Sequence, residues 1–397
     1  MSKSILLRFL SLAVAIVLCF LCNSCKSDTQ RDKNDVYSTD VKKHGFVEYG
    51  NYIYCEWGKI YRFNRKTESF TFACMDPECD GNCPMDCIMS YFAGVYEERV
   101  YFCGWQQYTH NVILAYQNIV TGEIQVLKTL SDIEDSNVYL SFIEDGYWYY
   151  TQRILKEGGD KSNPNDYEPY VCRMSLDGGR EETVIKCDSS ENLSMVADGK
   201  IITIQDGIIY STEIETKNKK ILYNLVENGY LNIVSRFSYY DGNIYFIAKS
   251  SLTEMSEYTQ KKYNLSFLFK INLNTSDSKL VIDSPVFNFC LTEDKIYYSP
   301  FKLRHLYVPE DINENREQIT TCIFDESIYT CDLNGENIRK IYTNANLDYV
   351  ENYTIVDNTL YGWLYDYNDT THTFDKTFFG GIDFDTGRII RVEKPEA

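Results

Sequence analysis

Histidine is scarce in this chain, with only His44, His110, His305 and His372 among 397 residues, which leaves few imidazoles to serve as base or metal ligand: His44 belongs to the N-terminal polar segment, and the other three lie in long loops. No G-x-S-x-G elbow, H-E-x-x-H pair or phosphate-cradling glycine loop is present, so the common hydrolase, zinc-protease and nucleotide-binding signatures are excluded. Lysine and arginine are also under-supplied, 39 against 58 acidic residues for a net charge of -19. Such a body repels phosphate backbones, so no nucleic-acid partner is expected. Proline is limited to 8 residues while tyrosine reaches 34 and phenylalanine 21, a balance that favours strands over helices.

Lys3 and Arg8 form a basic head at the N-terminus, where an apolar run extends from Ile5 to Leu21. It is too short for a stable span and reads as an export signal. Asn23 and Ser24 then precede Cys25 in an arrangement that resembles the lipobox of bacterial lipoproteins, with Cys22 in the place usually held by leucine. The resemblance implies cleavage before Cys25, acylation of its thiol and attachment to a membrane. The expected organisation is a signal peptide over 1–24, a polar tether over 25–45 too poor in apolar residues to order itself, and one large domain over 46–397.

Self-comparison at a period of about fifty residues exposes a recurring unit. A turn leads into a short aromatic strand in "GNYIYC", "EERVYF", "DGYWYY", "DGKIIT", "DGNIYF", "EDKIYY" and "DNTLYG", with anchors at Tyr54, Tyr101, Tyr149, Ile202, Tyr245, Tyr297 and Tyr361. A strand precedes each anchor and two follow, joined by turns such as "TGE", "DGG", "NGE" and "DTG" whose residues tolerate positive φ. Four strands per unit without helical periodicity make a propeller blade, and seven units predict an all-β, seven-bladed β-propeller, with six or eight blades as the alternative counts.

The "DGNIYF…LFKINLNT" pattern resembles a propeller family of Gram-positive and gut-bacterial lipoproteins, distantly similar to the YWTD propellers of low-density-lipoprotein receptors. It spans essentially everything after the tether, and it implies the fold without implying a reaction. "CMDPECDGNC" resembles a C-x-D-P-x-C element that many of those proteins carry after the first blade. Their pattern often has a histidine two residues after the second cysteine, where this chain has Gly81.

Naming the strands of each blade A to D from the axis outward, the B–C and D–A connections share one face. The B–C segments are long at 104–110, 153–170, 249–264, 300–326 and 363–376, whereas the turns of the opposite face are short. Long segments on a rigid scaffold are where binding resides. Their aromatic and polar content (Trp105, Tyr108, Tyr167, Tyr170, Tyr258, Tyr263, Arg304, Tyr307, Trp363, Tyr365 and Tyr367) suits stacking on sugars or peptide side chains, with Arg304 placed to hold a carboxylate. Packing plugs are the competing role for the tryptophans.

Between blades one and two, Cys74, Cys79, Cys83 and Cys87 fall within "CMDPECDGNCPMDC". Two disulfides, a structural zinc (or iron) tetrathiolate and free thiols are all open readings of that spacing. Fourteen cysteines minus Cys19, Cys22 and Cys25 leave eleven, so at least one is unpaired unless a metal or another chain takes it. The functional expectation is a lipid-anchored binding or scaffolding module of the cell envelope, taking a glycan, peptide or envelope protein on the B–C face. The alternatives are a propeller enzyme acting on polysaccharide or peptidoglycan fragments and a protein-docking subunit.

Overall fold

The chain forms a ring of seven antiparallel blades, as a computed structural model that describes residues 45–57, 59–73, 89–106, 110–135, 140–255, 262–308, 318–323, 327–343, 349–368 and 373–393. The blades occupy residues 46–72, 89–130, 142–186, 192–224, 230–280, 286–343 and 349–393. Each is built from consecutive strands paired in chain order, so the ring closes between blades seven and one without strand exchange. The seven-bladed, all-β expectation holds. The expected signal peptide, tether and Cys25 lie outside the described residues.

First strands of neighbouring blades lie against one another around the centre, as Phe46–Tyr49 does with Met89–Tyr96 and Val286–Leu291 with Tyr349–Val356. The axis is therefore lined by A strands. Side chains in a strand alternate between faces, and strand B of each blade uses both faces as packing surfaces. In blade two, Val100 and Phe102 pack back on blade one, while Tyr101 and Cys103 pack forward on blade three. The other anchors do likewise: Tyr54 faces blade two, Tyr149 blade four, Tyr245 blade six, Tyr297 blade seven and Tyr361 blade one. The repeat visible in the sequence is thus the side chain that docks each blade on its successor.

Ring closure is aromatic. Phe46, Phe63 and Phe70 of blade one meet Tyr361, Trp363 and Phe379 of blade seven, with Phe70 and Phe379 stacked at 4.8 Å between centroids. Trp363 packs edge-on against Tyr61, Phe70 and Phe379. Six cysteines, Cys55, Cys103, Cys172, Cys187, Cys290 and Cys331, are buried thiols outside any disulfide, each inside a blade-to-blade cluster. They act as small hydrophobes rather than cross-links.

Two departures from four regular strands occur on the ring. In blade five, strand A is split into Tyr230–Ile233 and Ser238–Tyr240, both paired with the long strand Asn243–Met255. The segment between them, Val234 to Phe237, crosses the axis-facing edge. Blade six carries a separate two-stranded ribbon, Leu303–Val308 with Gln318–Ile323, between its second and third strands.

Most of the expected long loops are extensions of the blades themselves. In blade three, Tyr147–Leu155 and Tyr167–Ser175 remain paired as far as Leu155 with Tyr167. In blade five the hairpin continues to Met255 opposite Lys262, with a bulge between Lys249 and Thr253. In blade seven, Thr359–Asn368 and Thr373–Asp383 pair as far as Asn368 with Thr373. Continued hydrogen bonding supplies the backbone partners that a loop of that length lacks.

Candidate functional site

At the end of the axis where the B–C and D–A connections gather lies a cavity of 670 Å³. Its walls come from blades five, six, seven and one: the Val234–Ser238 crossing, Lys249 and Ser266, Phe287–Leu291 and Phe301, Tyr353, and Gly45, Phe46 and Glu56. This volume lies in the range of pockets that enclose small molecules.

Each wall has a local cause. The break in strand A of blade five frees Val234–Phe237 from regular pairing, and Ser235 Oγ holds the segment by accepting from Ile247 N at 2.8 Å. Arg236 thereby projects from the innermost strand. Lys249 continues the row Tyr245, Ile247, whose members face blade six, and so reaches the cavity just before the bulge. Beyond the bulge, Asn264 Nδ2 donates to Ser250 O at 2.9 Å and brings Lys262 and Tyr263 to the rim.

The charge arrangement is one-sided. Glu56, at the end of strand B of blade one, receives Arg236 of blade five at 2.7 Å and the backbone N–H of Phe92 in blade two at 3.0 Å. A single carboxylate therefore ties three blades together at the axis. Its side chain is 12% exposed against 39% for Arg236. Lys249 and Lys262 complete the charged lining, and neither has an ion-pair partner among the described residues. Three cations minus one carboxylate leave the lining at +2 (3 − 1) in a protein of net charge -19.

The apolar part is supplied by Phe287, Phe289 and Phe301 at the start and finish of the first two strands of blade six. Tyr353 of blade seven lies beneath, its hydroxyl donating toward Asn288 O and Tyr297 O, each at 3.4 Å. Burial raises the Tyr353 phenol far above its ordinary value, which keeps it neutral and leaves the floor uncharged.

Most residues expected to bind from the sequence lie elsewhere on the ring. Trp105 ends strand B of blade two, with its ring 5.4 Å from that of His110. In blade three the Tyr167 hydroxyl donates to Lys161 O at 3.1 Å and the Tyr170 hydroxyl to Glu168 Oε2 at 3.2 Å. Trp363, expected to present its ring to a ligand, is only 3% exposed and belongs to the closure cluster. It is a packing residue, because its position in mid-strand aims it at blade one. Tyr365 packs beside it, partly buried. Arg304 and Tyr307 lie on the blade-six ribbon and Tyr367 in strand B of blade seven, but their side chains are outside the described residues, as are Tyr108, Tyr258, His372 and the whole Cys74–Cys87 cluster. Among the described residues, Tyr263 is the aromatic from these segments that reaches the cavity.

Sequence reasoning passed over Arg236, Lys249 and Glu56. One signal was present: among the seven A-strand segments, "RFSYY" alone begins with a cation. Among the described residues no group of three or more His, Cys, Asp or Glu side chains converges on a metal-sized site.

No protein-family profile matches the chain, and neither does any curated protein. Solved structures share the fold. A prolyl endopeptidase superimposes with a TM-score of 0.55 at 10% identity, covering 91% of this chain and 50% of its own, so the chain spans about half the length of that enzyme. The β-propeller domain of the trilobed protease from Pyrococcus furiosus gives 0.48 at 11% identity, with coverage of 90% and 100%. An oligogalacturonate lyase from Vibrio parahaemolyticus gives 0.47 at 10%, with coverage of 91% and 93%. At such identities the likeness concerns the propeller scaffold alone.

Proposed function

We propose that this β-propeller is an exported, lipid-anchored binding module of the cell envelope, attached through Cys25, whose ligand enters the axis from the face of the B–C hairpins. The observation that carries the reading is the 670 Å³ cavity at that end of the ring, with polar side chains convergent on an aromatic wall. A pocket assembled from four rigid blades binds with little reorganisation. The hairpins of blades three, five, six and seven stand around the same end and extend the surface available to a larger ligand. The cysteine-rich loop after blade one belongs topologically to that rim, where disulfides or a tetrathiolate zinc at Cys74, Cys79, Cys83 and Cys87 would staple it.

Two measurements test the proposal. Mass spectrometry of the membrane fraction is expected to find a diacylglyceryl group on Cys25; an unmodified Cys25 there removes the anchor. Hydrogen exchange during a glycan and peptide screen is expected to show protection in 230–238, 262–266 and 286–291. Protection confined to the A–B and C–D turns would place the ligand on the opposite face and overturn the binding assignment.

A further inference from the structure

From the charge of the cavity, and resting on the face assigned above, we infer that the axial site takes a small organic anion, a carboxylate or phosphate on a ring-bearing body. The lining contains Arg236, Lys249 and Lys262 against the single carboxylate of Glu56, although acidic residues outnumber basic ones by 58 to 39 over the chain. Random placement from that composition would make the cavity acidic. A concave wall of low polarizability focuses the field of the three cations inward.

The geometry separates two roles for the cations. Glu56 is already committed to Arg236 at 2.7 Å and to Phe92 N at 3.0 Å, so its charge is largely satisfied within the protein. That pair orients the guanidinium across the axis, and a planar fork held in one direction suits an oxyanion approaching from the mouth. Lys249 and Lys262 stand on the two strands of one hairpin, on either side of its bulge. Neither has an ion-pair partner among the described residues, and both line the cavity, where their ammonium groups are placed to meet an anion. Half-buried Phe287 and Phe301, backed by the buried Phe289, supply the aromatic lining against which the body of the ligand packs.

A matched set of sugars isolates the charge: glucose, glucuronate and glucose 6-phosphate, titrated calorimetrically into the mature protein at low salt. Glucuronate or glucose 6-phosphate is expected to bind at least about tenfold more tightly than glucose, an energy ratio ordinary for one charge-assisted contact. Whichever of the two binds better identifies the anionic group. The Lys249→Gln/Lys262→Gln double variant is expected to lose at least about tenfold of that affinity, with the loss shrinking as salt rises. As a readout independent of variant folding, the bound anion is expected to slow acylation of Lys249 and Lys262 but not of exposed Lys66, measured by peptide mass spectrometry. Anions that bind no better than glucose, or equally well to the double variant, overturn the inference. If a neutral glycan protects 230–238 and 286–291 from exchange while the anions do not, the anion assignment fails and the binding face survives.

Discussion

At the scale of single residues, the chain spends its aromatics on docking one blade to the next. Tyr101 shows the economy of the device: its ring packs on Trp148 at 5.7 Å while its hydroxyl donates to Leu176 O at 3.1 Å in the next blade. Tyr101→Phe keeps the ring and leaves that buried carbonyl with one partner fewer, so a loss of about 1 kcal/mol is expected in urea denaturation. Glycine is required where two blades touch through their backbones. Gly335 adopts φ 83°, and a Cβ there would stand 1.8 Å from Val281 O of the preceding blade. Gly335→Ala is therefore expected to cost more than about 2 kcal/mol, since both the left-handed backbone and the collision count against it; an unchanged urea midpoint would show that the blades are not in this contact.

The elements divide into those that make the ring and those that ride on it. Strands B and C of blades three, five and seven are both at once, because the same strands that build the core run on past it as hairpins. Their pattern in the sequence changes from apolar to polar at the rim, which is why they read as loops: alternation disappears where neither face is buried. The ribbon of blade six differs: among the described residues its two strands pair with each other and with no strand of a blade. Replacing 303–323 by a short turn is expected to leave the thermal midpoint within a few degrees by circular dichroism, since that ribbon contributes no strand to a blade. A cooperative loss of the whole ring would mean that the ribbon carries packing.

For the whole molecule, closure rests on side-chain packing between the first and last blades. Phe379→Ala at the centre of that junction is expected to cost about 3–5 kcal/mol, with the first exchange-labile amides appearing in blades one and seven. The buried thiols add a pH limit. Burial pushes Cys172, Cys187 and Cys331 up to about 12 from 9.0, so the folded state keeps protons that the unfolded chain releases. Stability from these groups is complete below pH 9 and lost progressively as pH rises toward 12. The expected outcome is a falling thermal midpoint over that window, and no labelling of the six core cysteines by a thiol reagent at pH 8 before unfolding.

Blade number and the order of strands within a blade were legible in the amino-acid sequence because both depend on local facts: turn residues at the A–B corners and an anchor recurring once per blade, aromatic in six blades and Ile202 in the fourth. The direction of each anchor follows from the alternation of side chains along a strand. The cavity was not legible, because its charged lining draws single residues from positions as distant as Glu56, Arg236 and Lys262, each unremarkable among its neighbours in the chain. Trp363 marks the same boundary from the other side: a tryptophan near a long polar segment suggests a platform, but pairing of its strand continues beyond it to Asn368 and leaves it buried. Periodicity along the chain determined the ring. Only closure of the ring, which brings blades one and five to either side of one axis, decided which side chains face each other across it.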